Sequence, residues 1–131
     1  MNDIWDKLYI EAKKVVNPRK ISEWVEAGGV SAAILSKSGK IYTGVCVDTA
    51  CTLGICAERN AIFNMITSGE SEIKAVIVVG SKGKVLGSPC GACRELMVQL
   101  MPNNYQEIEI MLDYETKEVT TLGELTPRWW I

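Results

Sequence analysis

Residues 56–94 read CAERNAIFNMITSGESEIKAVIVVGSKGKVLGSPCGACR, and this stretch decides the fold. From about Ile55 to Thr67, Ala57, Ala61, Ile62, Met65 and Ile66 recur at helical spacing, and Ser68-Gly69 supplies the stop. Apolar groups fall on most sides of this helix, which places it in the interior. Ala75 to Gly80 is a short continuous apolar run, the pattern of a strand covered on both faces. Pro89 opens a second helix that reaches about Met101, where Pro102-Asn-Asn104 breaks it. Cysteines stand at the start of both helices.

Working outward, residues 3–16 place Ile4, Trp5, Leu8, Ala12, Val15 and Val16 on one stripe of an amphipathic helix that Asn17-Pro18 ends. After Gly28-Gly29, Val30–Leu35 and Ile41–Val47 flank the turn signal Lys37-Ser-Gly39 and read as a hairpin. Ile108–Leu112 and Val119–Leu122 are the last two strands, joined by the short segment Asp113–Glu118. A crossover between parallel strands takes about a dozen residues or more, so this pair must run antiparallel. No repeat, low-complexity tract or linker interrupts the chain.

The chain has 131 residues, a length that suits one domain spanning 1–131 with its own core. Apolar residues make up 47% and charged residues 23%, as in soluble globular proteins. With 14 Lys and Arg against 16 Asp and Glu and no long run of either sign, no stripe exists to track a nucleic acid polymer. The longest apolar run, Ala75–Val79, is far shorter than the roughly 20 residues of a membrane span. Met1 to Lys7 lack the apolar core of a signal peptide, so a cytoplasmic protein is expected. Histidine is absent, which excludes Ser-His-Asp and Cys-His catalysis and the His-Glu-x-x-His metal pattern.

Five cysteines in a reducing compartment remain thiols, free for metal binding or catalysis. Cys90 and Cys93 share one face of a first helical turn, and Cys56 can join them if the two helix N-termini converge. Free N–H groups and the positive end of each helix dipole favour thiolates there. Three ligands leave a fourth tetrahedral position open to water, the arrangement of catalytic zinc. Three thiolates overcompensate a divalent ion, so counter-charge is needed, from Arg59 first and Arg94 second. Glu58, two residues from Cys56, can carry protons without binding the metal. The chemistry implied is protonation of a ring nitrogen, attack of water on the adjacent amino-bearing carbon, and release of ammonia.

These motifs resemble the cytidine deaminase family in its small all-cysteine form. Gly39-Lys-Ile-Tyr-Thr-Gly44, Cys56-Ala-Glu-Arg59, Ser88-Pro-Cys-Gly-Ala-Cys-Arg94 and Leu122-Gly-Glu-Leu-Thr-Pro127 fall in family order over residues 28–130. The resemblance implies a three-layer α-β-α fold with a mixed five-stranded sheet, one zinc ion per subunit, a small-molecule substrate, and a homotetramer with shared active sites. It also implies substrate contacts from Cys46, Asp48, Ala57 and Trp130, the last reaching a neighbouring subunit's site. The antiparallel final pair resembles the branch acting on free nucleotide components; polynucleotide deaminases usually insert a helix there.

The chain departs from that pattern where nucleoside-specific members read Asn-x-Glu-Asn to grip ribose. Here Cys46-Val-Asp-Thr49 stands instead, and a thiol cannot replace the two-way hydrogen bonding of an amide. The loop to Cys56 is one residue shorter, and Gly28 replaces a base-stacking aromatic, leaving space for something bulkier. These features resemble blasticidin S deaminases, so weakened cytidine recognition is expected. Read without the resemblance, Cys90-x-x-Cys93 could also be a redox pair or half of a structural zinc site, and Cys46 and Cys51 are small space-filling side chains. Trp129 reads as packing. A non-catalytic zinc or ligand-binding module is the competing class, and Glu58 argues against it, because a structural site needs no proton carrier.

Overall fold

The computed structural model describes residues 3–131; Met1 and Asn2, part of the segment read against a signal peptide, lie outside the described residues. In chain order the elements are α1 (Ile4–Val15), β1 (Arg19–Lys20), β2 (Glu26–Ser36), β3 (Ile41–Asp48), α2 (Ala57–Thr67), β4 (Ile73–Gly80), α3 (Gly91–Leu100), β5 (Glu109–Asp113), β6 (Glu118–Thr121) and α4 (Leu122–Leu125). Tyr105–Glu107 form a short 3₁₀ turn before β5. No helix among the described residues is long and apolar enough to cross a membrane.

Five strands form the main sheet in the order β3-β2-β4-β5-β6, with β4 and β5 parallel and every other pair antiparallel. A sixth strand, β1, pairs with Glu26 and Ala27 at the start of β2. The expected mixed five-stranded sheet is present, and this two-residue strand adds to its edge; nothing in the periodicity of Arg19-Lys20 could have shown it. The last strand ends at Thr121 instead of Leu122. The Thr121 hydroxyl accepts a bond from the Glu124 amide, capping α4, so Leu122 begins a helix.

Alternation along the central strands divides the core between two faces. Ala32, Ile34, Val76 and Val78 pack with Ala61, Ile62 and Met65 of α2 and with Cys93, Met97 and Val98 of α3. Ala33, Leu35, Ala75, Ile77 and Val79 turn the other way, onto Leu8 and Ala12 of α1. The molecule is therefore three-layered, α1 over the sheet over α2 and α3. At the edge of that core the Tyr9 ring stacks on Tyr114 at 3.8 Å, and Asp6 pairs with Lys117 at 2.7 Å, tying α1 to the final hairpin.

The seating of α2 sets the position of the site. Asn60 and Asn64 donate side-chain bonds to the carbonyls of Val45 (3.0 Å) and Thr43 (2.7 Å), which fasten α2 along β3. Gly44 makes this approach possible, since a Cβ there would lie 2.3 Å from the Ala61 nitrogen. Gly44→Ala is expected to cost about 3 kcal/mol, as backbone must shift to admit the methyl. By contrast Gly29→Ala, whose new methyl meets nothing within 4 Å, should stay within about 0.5 kcal/mol of the parent in a urea titration.

Candidate active site

The chain leaves β3 at Asp48, loops through residues 49–54 and returns at Ile55. Val47 and Ile55 exchange two backbone bonds, of 3.0 and 2.9 Å, closing this loop. Gly54 permits the closure, because a Cβ on it would sit 2.3 Å from the Val47 carbonyl oxygen. Cys56 is thereby delivered to the N-cap of α2 with Cys46 and Asp48 close by. Cys90 caps α3 in the same way, in extended backbone with no side-chain cap bond. Both helix starts thus offer a sulfur where unsatisfied N–H groups collect.

The three sulfurs of Cys56, Cys90 and Cys93 all lie within 4.8 Å of one another. Cys56 Sγ is 3.5 Å from Cys90 Sγ, which is 3.4 Å from Cys93 Sγ. Tetrahedral zinc with bonds of about 2.3 Å spaces its sulfurs by about 3.8 Å, so the cluster suits that ion with small adjustments. Soft thiolate donors suit it too. No carboxylate joins the cluster among the described residues.

Burial differs across the trio. Cys93 is fully buried, Cys56 half-buried and Cys90 exposed. Burial pushes the Cys93 thiol up, and the charge on Glu58 and the neighbouring thiols push the same way. Burial also opposes ionisation of Cys90, but backbone N–H groups of Cys93 and Ala92 and the other two thiols outweigh it and leave Cys90 below the ordinary thiol value. Without a cation, the trio cannot carry its full charge.

Arg59 answers part of that need. Its Nη2 donates to Cys56 Sγ at 3.5 Å, and this bond is the main reason its own pKa is raised. Its Nε is buried with no hydrogen-bond partner among the described residues. Among the described residues Arg94 bonds no sulfur; it donates to the carbonyls of Pro89 (2.8 Å) and Leu125 (3.0 Å), bracing the turn before Cys90 against α4. Glu58 is 6% exposed, and burial raises its carboxyl above the usual range. Ala57, between Cys56 and Glu58, is buried.

Beside Cys56 a cleft of about 390 Å³ is lined by Cys46, Val47, Asp48, Cys56 and Arg59, together with Thr49, Thr52, Gly54 and Ile55. The last four were missed in the sequence, where the loop carries no motif. Cys46 Sγ accepts the Val30 amide at 3.3 Å, so the thiol faces main chain. Trp130 lines no cleft beside the thiols; it is 70% exposed, and its indole N–H bonds Glu95 at 2.8 Å alongside that of Trp129 at 3.1 Å. Gly28 corrects the expectation of free space. With φ +86, its missing Cβ would fall 2.0 Å from the Asn17 carbonyl oxygen, so main chain fills the place of a ring. A roomier cleft of about 630 Å³ near Tyr9 and Tyr114 includes none of the three cysteines.

Known proteins share this architecture. The cytidine deaminase of Halalkalibacterium halodurans is 34% identical over 100 residues, covering 75% of this chain and 74% of that protein. The blasticidin-S deaminase of Bacillus cereus is 29% identical over 107 residues, covering 75% and 74%. The crystal structure of cytidine deaminase from Mycobacterium tuberculosis superposes with a TM-score of 0.78 at 26% identity, covering 99% of both chains. Residues 6–106 match the family described as the cytidine and deoxycytidylate deaminase zinc-binding region. The convergent thiols and this match agree, and the chain belongs to the zinc-binding cytidine and deoxycytidylate deaminase family.

Proposed function

We propose that the chain, as one domain over 1–131, hydrolyses the exocyclic amino group of a cytosine-type base, with Cys56, Cys90 and Cys93 as zinc ligands and Glu58 as proton carrier. The observation that carries this reading is the gathering of three sulfurs at two helix N-termini with a buried carboxyl two residues after Cys56. Zinc held by these three sulfurs would supply Lewis acidity that activates water as a nucleophile near neutral pH. Glu58 takes a proton from the attacking water at a carboxylate oxygen and passes it to the ring nitrogen, then takes the second proton from the added hydroxyl and delivers it to the departing amine as the carbonyl forms and the C–N bond breaks. Water's oxygen replaces nitrogen on the ring carbon, and ammonia leaves. A raised carboxyl pKa suits a group that must both accept and return a proton.

Arg59 offsets the surplus thiolate charge through Cys56 and so tunes metal affinity; Arg94 holds the Pro89 turn in place. Arg59→Gln should lower zinc affinity about 10- to 100-fold in a competitive chelator titration while the fold persists. Substrate contacts are assigned to Cys46, Asp48 and Ala57, and Trp130, exposed on its own chain, is assigned to the site of a neighbour in a cytoplasmic homotetramer. Ammonia release from cytidine, deoxycytidine, free cytosine and blasticidin S tests the reading. Turnover of at least one of them by zinc-loaded protein is expected, with cytidine a poor substrate; silence across the panel would sink the reading.

A further inference from the structure

Glu95 lies on α3, two residues past Cys93, and its carboxylate collects three donors. Oε1 accepts the indole N–H groups of both Trp129, at 3.1 Å, and Trp130, at 2.8 Å, while Oε2 accepts the Gln99 amide at 2.7 Å. These bonds, that of Gln99 foremost, hold the carboxyl below the usual carboxylate range, so Glu95 is charged at neutral pH. One residue earlier, Arg94 donates to the Leu125 carbonyl at 3.0 Å. Two consecutive residues of the helix that begins at Cys90 thus fasten the C-terminal segment, one at Leu125 and one at the tryptophans.

The two indoles use this anchor differently. Trp129 is partly buried against the core shared by α2 and α3. Trp130 is 70% exposed, yet its N–H turns inward onto the carboxylate. An indole has a single donor, and with that donor taken the ring shows only apolar faces to the outside. Arg128, directly before the pair, has φ +56, a left-handed conformation that persists where surrounding contacts dictate it. Trp130 does not line the cleft beside its own Cys56. The ring is therefore held for contact from beyond its own chain.

Resting on the deaminase reading and its assignment of Trp130 to a neighbour's site, we infer that Glu95 is a positioning residue for substrate binding in that neighbouring site, fixing through the paired indole bonds the plane in which Trp130 meets the base. Glu95 touches neither substrate nor metal. Without it the indole samples other rotamers, and apparent affinity falls with the fraction of chains that hold the competent one. The effect thus falls on KM and leaves kcat nearly unchanged.

Kinetics on zinc-loaded protein test this, with whichever of cytidine, deoxycytidine, free cytosine and blasticidin S the parent turns over fastest. Glu95→Ala, which keeps a strong helix former in α3, should raise KM about tenfold with kcat within about twofold. Glu95→Asp, whose charge falls a methylene short, should raise KM in the same direction. Glu95→Gln, whose amide oxygen still accepts both indoles, should stay within about threefold of the parent. Trp130→Ala should raise KM at least as much as Glu95→Ala, and the double variant should match Trp130→Ala alone. Glu95→Ala chains co-expressed with separately tagged Glu58→Gln chains form mixed assemblies, in which an intact Glu58 meets the Trp130 of a chain that keeps Glu95. A component with KM near the parent's should reappear there. Zinc content and thermal unfolding show that each variant is loaded and folded. An unchanged KM in Glu95→Ala or Glu95→Asp, a loss carried by kcat, no rescue by Glu95→Gln, an additive double variant, or mixed assemblies that keep only the high KM each overturn the inference, as does a parent that stays monomeric. Where the parent releases ammonia these results leave the deaminase reading standing, and release from no compound overturns both.

Discussion

Glu58→Gln should reduce ammonia release at least about 1,000-fold while leaving fold and zinc content unchanged. General acid–base catalysis by one positioned group contributes about 10²–10⁴, and Glu58 is assigned proton transfers on both sides of the addition step, which points to the upper part of that range. Glutamine keeps the shape of the side chain, so the buried position stays filled. It is also neutral, and burial already disfavours the carboxylate form there, so the exchange should not weaken the fold. Because no carboxylate belongs to the sulfur cluster among the described residues, the variant should still bind one zinc per chain. Metal analysis, circular dichroism and a coupled ammonia assay on one preparation decide the matter. Activity within about tenfold of the parent would remove Glu58 from the chemistry, and zinc lost together with activity would recast it as a structural support.

The sequence foretold most of the frame because periodicity and turn chemistry agreed over long stretches. Ala75–Gly80 could only be a covered strand, and the brief link from Asp113 to Glu118 forced an antiparallel pair, as found. The thiol cluster was legible because Cys56 and Cys90 each stand where a helix must begin. What stayed hidden is tertiary. Arg19-Lys20 is too short to show a period, and it becomes a strand only because Asn17 and Gly28 bring it against β2. Leu122 reads as the end of a strand begun at Val119, but Thr121 and Glu124 form a capping signal that starts a helix there instead. Gly28 illustrates a further limit: an absent side chain looks like empty space in one dimension, while in three it marks where another segment's backbone has moved in. The room was one residue along, at Gly29. Likewise the lining from Thr49 to Ile55 depends on a loop closed by Gly54 against Val47, a contact that no composition or motif announces.

Cys90→Ala is the sharper test of the metal centre, because Cys90 is exposed whereas Cys93 is wholly buried in the core. Removing Cys93 would mix loss of a ligand with loss of packing, but trimming Cys90 leaves the core intact. Bound zinc joins the start of α2 to the start of α3 through Cys56 on one and Cys90 and Cys93 on the other, and a ligand that binds only the folded chain stabilises it by mass action. At free zinc 100-fold above its dissociation constant that linkage is worth about 2.7 kcal/mol, or roughly 10 °C in Tm for a chain of this size. Chelation of the parent should therefore lower its Tm by about that amount and abolish ammonia release. Cys90→Ala should start near the chelated value, respond little to chelator, contain well under one zinc per chain and release no measurable ammonia. Each element excludes a different alternative. A thiol redox pair would lose its chemistry without any shift on chelation, and a purely structural zinc site would show the shift without any ammonia to lose. If Cys90→Ala instead kept one tightly held zinc and the parent's Tm, the exposed sulfur would be a bystander and the three-thiolate centre would be wrong.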